Sequence, residues 1–314
     1  MPQAHVVGER DFVRRIVEGQ LEWEEMTSRT EYLLWALKRT LRVGRIANAC
    51  PACEATDNFV VRRKYVVTAL RECRNCSLRY RTPKDDPGAA EAFYVDEVYK
   101  QGFTTDLPSN VELRAMTSTR FAGTEKDFGY RIKALEAAGL SPNSRILDFG
   151  CSWGYGSWQM RQAGFEVLSY EIGRERAHFA DAMLNCVMVS DLRTLDGTVD
   201  CFFSSHVIEH LPNPRLMFDE AEKALRPGGL LVCYCPNGAI ERENKDFGAY
   251  HKNWGKVHPL MLTPQFLKGE ARRRGFAQCA VFGSPVSNND IVAFRDGKLD
   301  GDELLTIARK SSEN

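Results

Sequence analysis

The sequence ILDFGCSWGYG, residues 146–156, decides the fold of this chain. An apolar run leads into a turn that contains Gly150, Gly154 and Gly156, and a helical segment follows. Glycine adopts backbone angles that other residues resist, and it lets the backbone come close to a ligand. The stretch therefore predicts the first strand, the ligand-binding turn and the first helix of a parallel α/β sheet.

Strands alternate with helices from about residue 126 onward, which is typical of such a sheet. The predicted strands are Arg145–Phe149, Glu166–Glu171, Val187–Ser190, Val199–Ser204, Gly229–Cys235, Gln278–Gly283 and Asp290–Arg295. We therefore expect an α/β domain with a Rossmann-like, seven-stranded sheet over residues 126–314.

Polar residues follow the predicted strands and complete the candidate ligand site. Glu171 ends the second strand, where an acidic group suits the two hydroxyls of a ribose. Asp191 and Leu192 follow the third strand, although a helix N-cap would show the same pattern. The fourth strand ends at Ser204 and continues into SHVIEHLPNP, and LRPGG precedes the fifth strand.

These motifs, in this order between residues 146 and 237, closely resemble those of class I methyltransferases that use S-adenosylmethionine (SAM). The glycine turn has the spacing D-x-G-x-x-x-G-x-G rather than the G-x-G-x-x-G of dinucleotide-binding proteins. The resemblance implies a SAM-dependent methyltransferase. It implies SAM contacts for Asp148, Gly150, Cys151, Gly154, Gly156, Glu171, Asp191, Leu192 and Ser204.

Histidines supply the candidates for removing a proton from the methyl acceptor. His206 follows the fourth strand and is the first candidate for the base, and His258 is the second, because imidazole titrates near neutrality. Glu209 and His210 suit either a catalytic or an orienting role. Residues 206–210 also satisfy the H-x-x-E-H pattern of a zinc peptidase. That interpretation requires a helix, and Pro212 follows almost at once, so we do not adopt it.

Two cysteine pairs near the start of the chain predict a metal site. The spacing is C-x-x-C, 19 intervening residues, then C-x-x-C, which suits one tetrahedral zinc ion. The predicted ligands are Cys50, Cys53, Cys73 and Cys76. Four thiolates leave no open coordination position, so the predicted zinc is structural, and removing it should unfold the surrounding module.

Cys76, the last cysteine of the second pair, begins the motif CSLRY, and Pro83, Tyr94 and Tyr99 follow it. This arrangement resembles a subgroup of zinc-ribbon bacterial methyltransferases, many of which are linked to methylation of sugars in surface polysaccharides or other glycosylated products. The resemblance implies methyl transfer to a hydroxyl of a sugar, nucleotide sugar or glycosylated metabolite.

Composition and charge complete the predicted organisation. The segments expected are a helical extension (1–45), a four-cysteine zinc module (46–83), a linker with lid helices (84–125) and the methyltransferase domain (126–314). The N-terminus lacks the apolar core of a secretory signal, and the chain has no long apolar run. We therefore expect a cytoplasmic protein without a membrane span, and no pattern predicts an oligomeric state.

Two other functions compete with the methylation of a small molecule or glycan. Basic residues exceed acidic ones in residues 1–84, so the zinc module could hold nucleic acid in an RNA methyltransferase. The net charge of zero disfavours this hypothesis, because binding a phosphate backbone normally requires a strongly basic face. A non-catalytic scaffold with a methyltransferase fold is the second alternative, and the intact motifs argue against it.

Overall fold

In the computed structural model of the protein, the described residues form two sheets, one of seven strands and one of four. The structure describes residues 48–64, 68–84, 106–255 and 258–312. The predicted helical extension and most of the predicted linker lie outside the described residues. Within the described part of the chain, no helix has both the length and the apolar character needed to cross a membrane.

The strands and helices of the described residues follow one another in this order. The strands are β1 (Asn58–Lys64), β2 (Thr68–Cys73), β3 (Arg79–Thr82), β4 (Arg145–Phe149), β5 (Glu166–Tyr170), β6 (Val187–Met188), β7 (Val199–Ser205), β8 (Leu225–Pro236), β9 (Leu260–Met261), β10 (Phe276–Ser284) and β11 (Glu303–Lys310). The α-helices are α1 (Asn110–Ser118), α2 (Gly129–Ala137), α3 (Tyr155–Gln162), α4 (Arg174–Leu184), α5 (Arg215–Ala224), α6 (Ile240–Lys245), α7 (Phe247–Asn253), α8 (Pro264–Arg273) and α9 (Asn288–Val292).

The seven-stranded sheet has the order β10-β11-β8-β7-β4-β5-β6. Strands β4 to β8 are parallel to one another, and β11 runs antiparallel between β8 and β10. The chain winds outward from β4 to β6 and then returns to the other side of β4 with β7. Ligands of such sheets bind beyond the carboxyl ends of the strands at this reversal, which lies between β4 and β7.

Alternate residues of each central strand enter the cores on the two faces of the sheet. On β7, Phe202 belongs to one apolar cluster, and Cys201 and Phe203 belong to the other. All three are fully buried. Burial on both faces explains the nearly continuous apolar runs of the parallel strands.

The predicted seventh strand, Asp290–Arg295, is wrong. Residues Asn288–Val292 form α9 instead, because Ser287 caps the helix by accepting a hydrogen bond from the Asn289 N–H. The seventh strand is β11, which pairs with β8 from Glu303 opposite Pro236 onward. The expected number of strands is therefore confirmed, although the sequence analysis assigned the last one to the wrong segment.

The four-stranded sheet joins the cysteine module to the rest of the chain. Its order is β1-β2-β3-β9, and β9 comes from the segment that precedes α8. Tyr80 of β3 pairs with Leu260 of β9. The Thr263 hydroxyl donates a hydrogen bond of 2.8 Å to the Ser77 carbonyl. The module is thus continuous with the larger domain through both backbone pairing and side-chain contacts.

Candidate active site and cysteine cluster

Glu171 connects the glycine turn to the strand beside it. Its carboxylate accepts hydrogen bonds from the N–H groups of Ser152, at 3.0 Å, and Gly173, at 2.7 Å. It also forms an ion pair of 3.0 Å with Arg176. Burial raises the pKa of Glu171 above its usual range, against the opposing effect of these backbone donors. The turn and the predicted ribose-binding carboxylate therefore lie together at the carboxyl edge of the sheet.

The three glycines of the turn are required by local geometry. Gly150 and Gly154 have φ angles of +81° and +86°, in the left-handed region that favours glycine. An added Cβ on Gly150, Gly154 or Gly156 would lie between 2.4 and 2.7 Å from a neighbouring side-chain atom. The N–H of Cys151 donates to the Tyr170 carbonyl at 3.0 Å. Side chains at the three positions would therefore collide with Val207, Cys186 or Phe128 and distort the turn.

Asp148 belongs to a buried polar network beneath the turn. Its carboxylate accepts a hydrogen bond of 2.6 Å from the Ser157 hydroxyl, which in turn accepts one of 2.9 Å from Ser169. Burial raises the pKa of Asp148 to about 7, and the bond from Ser157 opposes the shift only in part. The carboxyl group therefore binds its proton more tightly in the folded protein than in the unfolded chain.

We expect Asp148→Asn to stabilise the SAM-free protein at pH 8 and to have little effect at pH 4. A carboxyl pKa that rises from about 4 on folding makes the free energy of unfolding fall as the pH rises from about 4 through 7. The substitution removes this cost, which is at most about 4 kcal/mol at pH 8. Thermal denaturation at both pH values measures the difference, with the exposed Asp181→Asn as control. An equal change in melting temperature at the two pH values would contradict the expectation.

Asp191, Leu192 and Ser204 occupy the ends of the next elements. Asp191 caps the short 3₁₀ helix Leu192–Leu195, because its carboxylate accepts a hydrogen bond from the Arg193 N–H at 3.0 Å. Leu192 packs against the apolar core. Ser204 is buried and donates to the Phe149 carbonyl at 3.3 Å. The N-cap pattern considered for Asp191 is thus present in the structure.

His206 lies between two carboxylates at the end of β7. Its φ of +56° is unusual for a residue other than glycine, and its N–H donates to the Tyr234 carbonyl at 2.9 Å. Nδ1 lies 3.2 Å from Glu209 Oε1, and Nε2 lies 2.5 Å from Glu303 Oε1. Burial disfavours a charge on His206, but the two carboxylates outweigh it and raise the pKa to about 10.

Glu303 is a residue of this site that the sequence analysis missed. It begins β11, and besides His206 it contacts the Tyr130 hydroxyl at 3.0 Å and the Arg131 guanidinium at 3.1 Å. The Arg131 guanidinium also lies 4.9 Å from the centre of the Tyr234 ring. Both helix α2 and strand β11 therefore contribute to the edge where β7 and β8 end.

The remaining catalytic candidates lie directly beside His206. Glu209 is fully buried in the short 3₁₀ helix Ile208–His210, and Nε2 of His210 lies 3.7 Å from its Oε1. Burial opposes ionisation of Glu209, but the neighbouring histidines hold its pKa at about 2. The His210 and His258 rings are 5.0 Å apart. The structure therefore brings together all four predicted catalytic residues.

The two cysteine pairs also converge on one point. Sγ of Cys50 lies 3.5 Å from Sγ of Cys76, and Cys53 lies 3.5 Å from Cys73. These distances are too long for disulfides, whose sulfurs are about 2.05 Å apart. All four sulfurs lie within 4.8 Å of one another. Tetrahedral coordination with Zn–S bonds of about 2.3 Å would place sulfurs roughly 3.8 Å apart, so the geometry fits zinc.

The two cysteine turns have the same backbone form. The residues that follow the second cysteine of each pair, Glu54 and Ser77, have φ angles of 60° and 61°. Each donates its N–H to the carbonyl of the first cysteine of its pair, Cys50 or Cys73, at 2.9 Å. Each turn therefore aims two thiols in the same direction.

The parallel sheet, the glycine turn at its reversal and the acidic residue after β5 define a SAM-dependent methyltransferase. The chain belongs to the family described as "Methyltransferase domain", which matches residues 124–280. It is 28% identical over 197 residues to malonyl-[acyl-carrier protein] O-methyltransferase of Hahella chejuensis, covering 59% of this chain and 67% of that protein.

Other relatives cover smaller parts of the chain. Ubiquinone biosynthesis O-methyltransferase of Parvibaculum lavamentivorans is 27% identical over 118 residues, which cover 34% of this chain and 47% of that protein. The chain thus spans between about half and two thirds of the length of these two relatives. A solved SAM-dependent methyltransferase from Archaeoglobus fulgidus aligns with a TM-score of 0.45 and 17% identity, over 64% of this chain and 100% of that one.

Proposed function

We propose that this enzyme transfers the methyl group of SAM to a hydroxyl of a small polar acceptor, a sugar or the sugar of a glycosylated metabolite. The observation that carries the proposal is the contact between His206 and Glu303, with Tyr130 on the same carboxylate. Imidazole, phenol and carboxylate groups are suited to hydrogen bonds with hydroxyls. A carboxylate at this point also disfavours an anionic acceptor group beside it.

The position of this group relative to the glycine turn supports the proposal. Glu171 and the turn lie beyond β4 and β5, whereas His206 lies beyond β7 and Glu303 lies opposite Pro236 at the end of β8. The cofactor and the acceptor would therefore occupy neighbouring halves of one cleft.

The proposed reaction is an in-line displacement. The acceptor oxygen forms a bond to the methyl carbon while the bond from that carbon to sulfur breaks, and the electron pair returns to sulfur to leave a neutral thioether. The hydroxyl proton must also leave, and we assign its acceptance to the neutral form of His206, which becomes more abundant as the pH rises toward the raised pKa of about 10. Glu209 and Glu303 would stabilise the resulting imidazolium, because both lie beside the ring.

The proposed function is tested with methyl-labelled SAM and separate fractions of small metabolites, nucleotide sugars, glycolipids and RNA. We expect label in a sugar-containing fraction, and a loss of about a hundredfold or more in rate for both His206→Ala and His206→Gln. His178→Ala, a change at an exposed histidine, should retain the rate.

The glutamine variant separates two roles, because it can donate a hydrogen bond but cannot act as a base. A rate retained in His206→Gln would contradict the assignment of His206 as the base. Label confined to RNA would contradict the sugar acceptor and favour the nucleic-acid hypothesis. No SAM binding at all would instead favour the scaffold hypothesis.

The four cysteines are also proposed to hold a structural zinc ion, supported by their spacing and by the convergence of their sulfurs. Such an ion would cross-link the turn before β1 to the turn between β2 and β3. The buried Leu78 and Tyr80 follow the second turn and belong to the apolar cluster that also contains Phe149. The cross-link would thus support the core beneath the active site.

A further inference from the structure

Three side chains beside His206 form a cluster that is separate from the four cysteines. Glu209, His210 and His258 each offer one ligand atom, and these atoms all lie within 4.8 Å of one another. Two imidazoles and one carboxylate are a ligand set that binds divalent transition metals and leaves further coordination positions open.

The buried carboxylate of Glu209 forms ion pairs with two histidines but completes no hydrogen bond among the described residues. Glu209 is 0% exposed, and neither of its oxygens has a hydrogen-bond partner among the described residues. The nearest imidazole nitrogens, of His206 at 3.2 Å and of His210 at 3.7 Å from Oε1, do not meet the geometry of a hydrogen bond. His206 and His210 compensate its charge only through ion pairs, and a metal cation in the cluster would add a direct bond to the carboxylate.

The orientation of His258 points to the same conclusion. Nδ1 of this ring lies 2.7 Å from the Asn253 carbonyl oxygen. A carbonyl oxygen can only accept a hydrogen bond, so Nδ1 carries a proton and Nε2 is the nitrogen left to bind a metal. Metal-binding histidines are commonly fixed in this way, with the second ring nitrogen donating to a carbonyl or carboxylate.

Strands of both sheets hold the three residues in place. Glu209 and His210 follow β7 of the large sheet, whereas His258 lies two residues before β9, which pairs with β3 of the cysteine module. Residues 208–210 also pack near β9. The cluster therefore joins segments that adjoin two different sheets rather than lying in one loop.

We propose that Glu209, His210 and His258 bind one divalent transition-metal ion. On the proposed function, its open positions would take the oxygens of the acceptor, such as a vicinal diol of a sugar. Binding to the ion would lower the pKa of the reacting hydroxyl and so assist loss of its proton. The site itself does not depend on the proposed function, whereas this role for the ion does.

Cobalt(II) is the probe for the site, added to the full-length protein after the cysteine site has been loaded with zinc. We expect one equivalent of cobalt to bind with ligand-field bands and without a thiolate charge-transfer band. In His258→Ala and Glu209→Gln, the affinity for cobalt should fall at least about a hundredfold, because each change removes a ligand. The matched control, His178→Ala, should bind cobalt as the wild type does.

Zinc content and melting temperature before cobalt addition establish that each variant is folded. No tight cobalt binding to the wild type, or unchanged binding in both variants, would overturn the metal site. Methyl transfer is measured separately, with and without added metal. Cobalt binding without any effect of metal on methyl transfer would confirm the site and contradict its role in the reaction, whereas failed transfer to sugars would contradict only the proposed acceptor.

Discussion

Replacing Cys73 by serine is expected to abolish zinc binding, unfold the four-stranded sheet and lower the melting temperature of the whole protein. A closed tetrahedral site loses most of its affinity with one ligand, and structural zinc contributes on the order of 10 kcal/mol to small modules. Zinc content, thermal denaturation and limited proteolysis measure the effect. Chelation of the wild-type protein should produce the same change.

The effect should extend beyond the cysteine module because its core is shared. Cys73 is fully buried in the same apolar cluster as Phe149 and Ile208, which belong to the active-site side of the large sheet. Arg79 of β3 also reaches helix α6, where its Nη1 lies 3.2 Å from a Glu243 carboxylate oxygen. We therefore expect new protease cleavage both within 48–84 and around β9.

Cys279→Ser is the matched control for this prediction. Cys279 is a partly buried cysteine of β10 that lies outside the cysteine cluster. Its substitution should leave zinc content unchanged and alter the melting temperature only slightly. A Cys73→Ser protein that keeps its zinc, its melting temperature and its resistance to proteolysis would contradict the structural role of the metal.

The central parallel strands β4, β7 and β8 were predictable because they are buried on both faces. The predicted first strand, Arg145–Phe149, has the observed bounds, since a continuous apolar run leads directly into the glycine turn. The last strand was not predictable in this way. The Ile291-Val292 pair resembles part of a strand, but the Ser287 cap starts a helix there. Short apolar segments do not distinguish a helix from a strand by periodicity alone.

The contacts that complete the candidate active site were not predictable from local patterns. His206 and Glu303 are 97 residues apart in the sequence, and only the antiparallel insertion of β11 beside β8 brings them together. His258 reaches Glu209 because two residues, Leu260 and Met261, pair with β3, and so short a strand has no recognisable periodicity. The sequence indicated the candidate side chains, whereas tertiary pairing determined their partners.

Glu171 is the side chain whose replacement should weaken SAM binding most. Its two oxygens offer about four acceptor positions, and the N–H groups of Ser152 and Gly173 use one on each oxygen. Arg176 approaches the oxygen that Gly173 contacts. A carboxylate with remaining acceptor capacity at the end of β5 suits the two ribose hydroxyls of SAM, as the sequence motif predicts.

Glu171→Gln should therefore raise the dissociation constant for SAM about a hundredfold. The amide has nearly the shape of the carboxylate but loses the negative charge and one acceptor oxygen, and hydrogen bonds to a charged group contribute about 1.5–3 kcal/mol each. Titration calorimetry measures the constant, and thermal denaturation shows whether the turn is intact. Glu166→Gln, at the exposed start of the same strand, should bind SAM as the wild type does. If a folded Glu171→Gln protein retained wild-type affinity, the ribose hydroxyls would have to be bound by other residues, which would contradict the role predicted for Glu171.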